Sequence, residues 1–404
     1  MDNIMMRFGN ILVVIFILIS IMNAYPVERW IYTETLGSTN YDFGKAFGEK
    51  FSQEIRTRLE EDLDLKLLVS QFGKETQNPL FSYFIETHEK VFPNYMEELQ
   101  GISDGSGAPF DVLFISQLKQ EFTYYLNKSK ERDEMLLNED HCSDVVLSAE
   151  NGDVWIAHNE DAGIYDVNST VLIEAVNGVN GGPGFTALVY LGQTPTNAFG
   201  FNSNGVVFTM NKVPPMFPDI KGVGRVFIGR SLLDSLSFDD AVNKATEELS
   251  MIAGHNYQIG LAGTNQIVNV EVASFGEYKI TKFPSGDEVF FHANMYTMLD
   301  VPQILPNPSS EHRIARFNDI QESNPIKTPN DMLDVLGDQA DNEYPIYHDA
   351  KSHSNGDLSG YTLVSILINV RTCEMLVYEE NPKLNQFAFK LIFCYMPQVK
   401  IDIL

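Results

Sequence analysis

Cys142 is the residue of this sequence best placed for chemistry, because a histidine and carboxylates follow it at hairpin spacing. The chain after it reads as two β-rich runs around Glu150-Asn151-Gly152-Asp153, and Asn-Gly between such runs predicts a tight hairpin turn. Equal strands of a hairpin bring their open ends together, so His158 and Asp161 are expected near Cys142. A thiol, an imidazole and a carboxylate at one end of a sheet are suited to nucleophilic catalysis.

Two mechanisms fit this group of residues. In the first, His158 removes the thiol proton of Cys142, although the local cysteine signature of papain-like proteases is absent. In the second, the peptide bond between His141 and Cys142 is cut and the freed α-amine of Cys142 acts as base. An α-amine has a pKa of about 7.7–8.0 and a thiol a pKa of about 8.5, so transfer of the thiol proton to the amine is nearly isoenergetic. The charged stretch 128–140 is predicted to be an exposed linker, and a cysteine where a linker meets a strand favours the second mechanism.

The elements that must position these residues change in type at the linker. Before it, apolar residues at helical spacing predict helices over 45–60, 80–100 and 112–126, with a glycine-rich turn at 101–109. After it, helices come in blocks between runs of strands, which predicts an α+β body with antiparallel sheets under helix layers. Strands are predicted over 145–149, 154–157, 185–191, 206–210, 257–262, 267–273, 278–283, 289–291, 362–369, 373–379 and 387–395, and helices over 226–236, 238–249 (capped by Ser237) and 331–336 (capped by Thr328).

The N-terminus predicts export from the cytosol. Residues 11–22 form an apolar run that is short for a membrane span but typical of a signal-peptide core, and Ala24 offers a small residue for cleavage. We therefore expect a signal peptide over 1–24, with a retained signal anchor as the alternative, and a secreted or lysosomal protein. No later run is long and apolar enough to predict a membrane span. Asn127 and Asn168 begin glycosylation sequons.

Composition narrows the function classes. The chain has 404 residues, 44% of them hydrophobic, and a formal net charge of -27, so it is predicted to be globular and to repel nucleic acid. An acidic surface of this kind would attract cationic substrates or suit an acidic compartment. Alternatively, the negative charge serves only to keep the protein soluble. Three cysteines are too few for a disulfide scaffold; Cys373 and Cys394 could pair or could both be buried thiols.

The ordered set of motifs in this chain resembles a known family. It is similar to the cysteine N-terminal-nucleophile hydrolases of the penicillin acyl-CoA acyltransferase group, and within that group to the branch of insect β-alanyl-amine hydrolases. The resemblance covers most of the chain after residue 24. The motifs are Glu97-Glu98-Leu99-Gln100-Gly101-Ile102-Ser103-Asp104-Gly105-Ser106-Gly107, Cys142-Ser143-Asp144, Ala157-His158-Asn159-Glu160-Asp161, Gly200-Phe201-Asn202-Ser203-Asn204-Gly205-Val206, His292-Ala293-Asn294 and Ser310-x-x-Arg313-x-x-Arg316.

The resemblance implies a fold and a division of the chain. The fold would be the four-layer αββα sandwich of N-terminal-nucleophile hydrolases, with a helical N-terminal leader. Residues 25–141 (the leader) would become an α-subunit, and residues 142–404 (the body) would become the catalytic β-subunit. Some relatives, penicillin acyltransferase among them, cut after glycine, whereas His141 stands here; other cysteine relatives, such as acid ceramidase, tolerate other residues at this position.

The resemblance also implies roles for single residues. Cys142 would be the nucleophile and the new N-terminus, and Asp161 would orient its α-amine. Asn294 would help to form the oxyanion hole, and Arg313 would support the cysteine. At the substrate site, Asn211 matches a substrate-binding asparagine of relatives, and His158 stands where several relatives have arginine.

The expected activity is hydrolysis of a small-molecule, non-peptide amide, such as an N-β-alanyl amine, without a metal or an organic cofactor. An amine acceptor in place of water would make the same site an acyltransferase. Two further alternatives are a lipid amidase similar to acid ceramidase, which should have an apolar entry groove, and a secreted binding protein that has lost activity.

Overall fold

Helices dominate the leader and strands dominate the body, as the sequence predicts. The structure is a computed structural model that describes residues 31–34, 39–127, 132, 135–136, 142–246, 250–283, 286, 288–350, 360–393 and 400–402. The predicted signal peptide (1–24), His141, Cys394 and most of the predicted linker lie outside these ranges. The described part of the leader contains helices α1 (Asn40–Lys50), α2 (Ser52–Glu61), α3 (Leu63–Phe72), α4 (Pro79–Val91), α5 (Pro93–Ser106), α6 (Phe110–Gln117) and α7 (Lys119–Thr123).

The glycine-rich segment 101–109 is the clearest error of the sequence prediction. It was expected to be a turn, but α5 continues through it and ends only at Gly107, whose φ is 74°. The glycines serve close packing of α1 against α5: a Cβ on Gly44 would lie 2.0 Å from the Glu98 carbonyl oxygen, and one on Gly101 would lie 2.2 Å from the Tyr41 carbonyl oxygen. These glycines therefore remove side chains between two helices instead of bending the chain.

The strands form two sheets within the described residues. Sheet 1 is antiparallel except for its first pair, which is parallel, and sheet 2 is antiparallel throughout. Sheet 1 has the order β1 (Ile31–Glu34), β4 (Thr170–Ala175), β5 (Phe185–Tyr190), β6 (Phe199–Asn202), β7 (Val206–Val213), β8 (Gly254–Leu261), β9 (Ile267–Val272), β10 (Tyr278–Lys282). Sheet 2 has the order β11 (Glu288–His292), β2 (Ser143–Ser148), β3 (Val154–Gly163), β12 (Gly360–Asn369), β13 (Glu374–Tyr378), β14 (Phe389–Ile392), β15 (Lys400–Asp402).

Four further helices belong to the body: α8 (Arg225–Leu233), α9 (Phe238–Thr246), α10 (Pro308–Ser323) and α11 (Pro329–Leu336). Both predicted caps are present. The Ser237 hydroxyl accepts the backbone N–H of Asp240 at 3.1 Å, and Thr328 forms a capping box with Asp331. The sequence did not predict α3, α10, β1, β4, β6 or β15.

Three apolar layers hold these elements in the expected αββα order. The leader helices, α8 and α9 pack on one face of sheet 1. Phe114 of α6, Phe227 of α8 and Phe185 of β5 belong to a single apolar cluster at this contact. Sheets 1 and 2 pack face to face through side chains such as Val146 and Phe199. Helices α10 and α11 cover the other face of sheet 2. The α+β sandwich with a helical leader is therefore confirmed.

A buried ion pair ties the leader to the body. Arg230 of α8 donates through Nε to both carboxylate oxygens of Glu98 on α5, at 3.1 Å each, and both side chains are fully buried. Asn40 donates a further hydrogen bond of 2.7 Å to the same carboxylate. Because these contacts lie in the core and not in the linker, a cut before residue 142 would leave the two parts attached.

Replacing Arg230 with methionine is expected to destabilise the protein by about 3–5 kcal/mol, because it leaves the buried Glu98 carboxylate without its cation. Lys244→Met is the matched control, since Lys244 forms a partly exposed surface pair with Asp240 at 3.0 Å and should contribute at most about 1 kcal/mol. Thermal unfolding of both variants checks the difference. Equal shifts in the two variants would contradict a structural role for the Glu98–Arg230 pair.

Candidate active site

The β2–β3 hairpin brings Cys142 to the group of residues that the sequence predicts. Gly152 in the turn has φ of 80°, a conformation that glycine adopts without strain. The strand register pairs Asp144 with His158, and the next pair on the same face would be Cys142 with Glu160. The measured contact agrees, since the Cys142 Sγ lies 3.7 Å from the Glu160 Oε2.

These side chains continue a buried stripe on the face of the hairpin that meets sheet 1. Alternate residues of a strand point to opposite faces, so residues two apart in sequence lie on the same face. The stripe is apolar at Val146 and Ile156, which belong to the layer between the sheets, and becomes polar toward the open end of the hairpin. Cys142 at that end is only 3% exposed.

His158 lies between two carboxylates. Its Nδ1 is 2.8 Å from Asp144 Oδ1 and its Nε2 is 2.9 Å from Glu160 Oε2. Burial alone would lower the pKa of His158, but Asp144 and Glu160 outweigh burial and raise the pKa to about 10. At neutral pH the ring is thus an imidazolium with both N–H groups donated to carboxylates. Such a ring has no lone pair for the thiol proton, which argues against His158 as the base.

The raised pKa of His158 makes stability depend on pH. A cation that gains partners on folding stabilises fully below its unfolded pKa of about 6.5, and this contribution is lost as pH rises toward 10. Between pH 7 and pH 10, wild type is expected to lose about 5 °C more in unfolding midpoint than His158→Gln. His312→Gln is the control, since His312 is half-exposed in its pair with Asp341, and it should follow wild type. Parallel pH profiles for wild type and His158→Gln would contradict this assignment.

Cys142, His158 and Glu160 also offer ligand atoms that all lie within 4.8 Å of one another, a spacing that a metal ion could use. Thiolate, imidazole and carboxylate are the ligands that zinc prefers. A histidine must be neutral to bind a metal, so an ion here would have to displace the proton that both carboxylates stabilise. The donor set therefore favours a protonated histidine over a metal centre.

Arg313 on α10 connects the nucleophile to Asn294. Its Nη1 donates to the Cys142 carbonyl oxygen at 2.7 Å and to the Ser143 hydroxyl at 3.0 Å, and its Nη2 donates to Asn294 Oδ1 at 2.9 Å. The guanidinium is fully buried. Arg313 therefore fixes the backbone of Cys142, as expected for a supporting residue.

Asn294 has a fixed orientation. Because Arg313 occupies its Oδ1, the amide nitrogen points the other way and donates to the Lys212 carbonyl oxygen at 2.9 Å. The backbone N–H of Asn294 donates to the Ser310 hydroxyl at 3.2 Å. One of the two hydrogen atoms on the Asn294 Nδ2 is donated to the Lys212 carbonyl oxygen. The other hydrogen atom is the one that could be donated to an oxyanion.

Asp161 is a buried carboxylate beside the nucleophile. Its backbone oxygen lies 3.9 Å from the Cys142 Sγ, and its carboxylate is near the Thr362 side chain and the imidazole of His348. Burial raises the pKa of Asp161, and the nearby His348 and Arg313 offset only part of that effect. The His348 Nε2 lies 3.8 Å from Asp161 Oδ2, which is longer than a hydrogen bond, so a cationic donor at closer range would stabilise the ionised carboxylate further.

Asn211 lies on β7 one residue before Lys212, whose carbonyl binds Asn294. Its Nδ2 is 3.5 Å from the His292 carbonyl oxygen, and its Oδ1 has no partner among the described residues. The Asn211 side chain is fully buried. The sequon residues Asn127 and Asn168 are both exposed and away from this group.

Sequence reasoning missed Glu160, Asp144 and Tyr190. The Tyr190 hydroxyl on β5 donates a short hydrogen bond to Glu160 Oε1. Counting the hairpin register outward from Asn151-Gly152 could have found the other two, because 144 and 160 fall on the same face as Cys142. Tyr190 comes from the other sheet, and no local pattern relates it to the hairpin.

A cavity of about 260 Å³ lies between the leader and the body next to this group. Tyr190 and Lys212 line it, and both also bond residues of the Cys142 group. The lining is rich in charged and amide side chains, including two buried glutamines, Gln120 and Gln193, each with an amide oxygen that has no partner among the described residues. Such a lining suits a polar ligand.

The comparisons with known proteins point to one group of enzymes. A model of the family acyl-coenzyme A:6-aminopenicillanic acid acyl-transferase matches residues 147–384, more than half of the chain. The chain is 25% identical over 388 residues to a β-alanyl-dopamine/carcinine hydrolase of Drosophila melanogaster, covering 89% of this chain and 94% of that protein.

Two solved structures are also similar. One is the Caenorhabditis elegans N-acylethanolamine-hydrolyzing acid amidase ortholog, with a TM-score of 0.40 and 11% identity, covering 57% of this chain and 93% of that chain. The other is a mutant of the conjugated bile acid hydrolase of Clostridium perfringens, with a TM-score of 0.36 and 12% identity, covering 65% of this chain and 92% of that chain.

Proposed function

The chain belongs to the acyl-coenzyme A:6-aminopenicillanic acid acyl-transferase family, and we propose that it is a self-processing cysteine amidohydrolase with Cys142 as nucleophile. One observation carries this proposal. Asp161 is a buried residue whose backbone oxygen lies 3.9 Å from the Cys142 Sγ and whose carboxylate is 3.8 Å from His348 Nε2, longer than a hydrogen bond, and a free α-ammonium on Cys142 would supply a cationic donor at closer range. The protonated His158 does not compete for the role of base.

The proposed processing step is a shift of an acyl group from nitrogen to sulfur. The Cys142 Sγ attacks the carbonyl carbon of His141, a C–S bond forms, the C–N bond breaks, and the nitrogen takes up the thiol proton. Water then hydrolyses the thioester to a new carboxylate on His141 and a free thiol on Cys142. Residues 25–141 and 142–404 become two subunits.

In the mature enzyme the α-amine of Cys142 takes the thiol proton, and the thiolate attacks the amide carbon of the substrate. The amide nitrogen of Asn294, oriented by Arg313, donates to the oxyanion. The leaving amine takes the proton back from the α-ammonium, and a thioester remains. Water attacks the thioester to release the acid, whereas an amine acceptor in place of water would give acyl transfer.

The proposed substrate is an N-β-alanyl amine. Support comes from the Drosophila relative, which is a β-alanyl-dopamine/carcinine hydrolase, and from the net charge of -27, which attracts cations. The charged and amide side chains among the residues that line the 260 Å³ cavity also support this substrate. A fatty-acyl substrate would need an apolar groove at the same place.

The proposed location is the secretory route, ending outside the cell or in the lysosome. Cys373 is disulfide-bonded, which is typical of oxidising compartments and supports this proposal. Its partner lies outside the described residues, and Cys142 is a free thiol. Across the described ranges, no helix has the length and apolarity that a membrane crossing requires.

The test is to purify the protein, determine its subunit masses and N-termini, and measure amine release from β-alanylhistamine and N-palmitoylethanolamine. We expect two fragments, the larger beginning at Cys142, and hydrolysis of the β-alanyl amide at least about 100-fold faster by kcat/KM. An active but uncut chain would overturn the processing mechanism. Hydrolysis of the palmitoyl amide alone would overturn the substrate assignment.

A further inference from the structure

We infer that Gln120, on helix α7 of the leader, binds the polar end of the amine half of the substrate, so that the enzyme selects amines that carry a hydroxyl or an imidazole. This inference rests on the proposed function, because it assumes an amide whose acyl half is transferred to Cys142. Gln120 lines the 260 Å³ cavity between the leader and the body and is only 6% exposed. Its amide nitrogen and its amide oxygen both lack a hydrogen-bond partner among the described residues.

Three glutamines line this cavity, and the protein uses their amide groups to different extents. The amide nitrogen of Gln117 donates to the Thr194 hydroxyl at 2.6 Å, and its amide oxygen accepts the Thr194 backbone N–H at 3.0 Å. The amide nitrogen of Gln193 donates to the Ser116 carbonyl oxygen at 3.0 Å. These bonds fix both side chains. The amide of Gln120 is not held in this way, so it can rotate about its side-chain bonds toward a ligand in the cavity.

A buried amide without partners selects for a ligand that supplies them. The side-chain amide of Gln120 offers N–H donors and a carbonyl acceptor next to each other. A hydroxyl group or a neutral imidazole can both donate and accept, so either one matches this pair. Leaving the amide unpaired in the core costs free energy, which such a ligand recovers. An apolar amine in the same place leaves the amide unpaired and is therefore bound less well.

The cavity begins beside the nucleophile. Tyr190 lines it and donates to Glu160, whose Oε2 lies 3.7 Å from the Cys142 Sγ. Gly163, at the end of β3 and two residues after Asp161, lines it as well. A substrate whose carbonyl carbon lies at Cys142 can therefore extend one of its halves into this cavity.

The charges of the lining indicate which half that is. Cations outnumber carboxylates by four to three in the lining, with Arg58, Lys119, Lys212 and Arg225 against Asp64, Glu121 and Asp166. A lining with this balance does not attract the ammonium group of a β-alanyl chain. A neutral ring with polar substituents carries no such charge and matches the uncharged amide of Gln120. The amine half of the substrate is therefore the half that lies in the cavity.

The test uses two amides with the same acyl group, β-alanyl-dopamine and β-alanyl-phenethylamine, which differ only in the ring hydroxyls. Wild type is expected to prefer β-alanyl-dopamine by about 100-fold in kcat/KM, and Gln120→Met is expected to lower this preference about 10-fold. Methionine is unbranched and flexible like glutamine but has no amide. Gln71→Met, at an exposed position of α3, is the matched control and should keep the wild-type ratio. The wild-type ratio in Gln120→Met, with or without an equal loss on both amides, would overturn the inference.

The unfolding midpoint of the same variant separates ligand binding from a structural role. Gln120→Met removes an amide that forms no hydrogen bond among the described residues, so its midpoint is expected to equal or exceed that of wild type. A midpoint lower by more than about 5 °C, or a variant that does not fold, would contradict the inference, because the amide would then stabilise the protein itself.

Subunit masses from the same preparations separate this inference from the proposed function. If wild type is cut before Cys142 and hydrolyses both amides equally well, the role of Gln120 is wrong and the cysteine mechanism stands. If wild type is uncut and inactive on both amides, the proposed function fails and the inference fails with it.

Discussion

Replacing Cys142 with alanine is expected to leave the chain in one piece and to abolish amide hydrolysis. The same sulfur is proposed to cut the bond before residue 142 and to form the thioester in each later turnover. Removing a covalent nucleophile from a group that acts as a unit lowers kcat by more than about 10⁴-fold. Intact-mass measurement and N-terminal sequencing should find two fragments for wild type and one chain for Cys142→Ala.

Ser148→Ala is the matched control for this variant. Ser148 is the last residue of β2, is 4% exposed, and lies at the opposite end of the strand from Cys142. This control is expected to be cut and to be active. A cut Cys142→Ala chain, or an active wild type in which residue 142 is still joined to His141, would refute the mechanism and require a different base.

The hairpin shows how far the sequence alone can locate the site. Asn151-Gly152 between β-rich runs predicted the turn, and the turn sets which residues of the two strands face each other. The approach of His158 and Asp161 to Cys142 follows from that local geometry. The position of Glu160 follows from the same register, and the structure places its Oε2 3.7 Å from the Cys142 Sγ.

Asn294 and Arg313 could not be placed in the same way. They lie about 150 and 170 positions after Cys142, and no periodicity in the sequence predicts that the first half of α10 packs beside the start of β2. Only the family resemblance indicated them, and the structure then brings them together through three hydrogen bonds of Arg313. Contacts between distant segments depend on how whole layers pack, which local patterns do not contain.

The leader illustrates a second limit. Its glycines were interpreted as a turn because glycine is common in turns, yet they lie inside α5 where another helix packs closely. The sequence also gave no indication that leader residues such as Gln120 and Arg58 line the cavity beside the nucleophile. A leader that forms part of the cavity must remain bound after processing for the substrate site to stay complete.

Replacing Asp161 with asparagine is expected to lower kcat about 1,000-fold, because the amide cannot hold and stabilise the α-ammonium of Cys142 as a carboxylate does. Asparagine has nearly the same shape, so the change removes mainly the charge. Steady-state kinetics on the processed protein measures this loss. Asp153→Asn is the control: Asp153 pairs with Arg371 at the far end of the hairpin from Cys142, so the variant should retain most of the activity.

In the uncut chain the Asp161→Asn substitution should increase the stability of the protein. Burial raises the pKa of Asp161, so above the ordinary aspartate pKa its ionised form opposes folding, and this penalty disappears as pH falls. Asp161→Asn in a Cys142→Ala background is therefore expected to be more stable at pH 7 by about 1–3 kcal/mol, with the gain shrinking toward pH 4. In the processed enzyme the α-ammonium compensates the charge, so the gain should vanish or reverse. A stability gain of the same size in both backgrounds would show that Asp161 does not bind the new N-terminus.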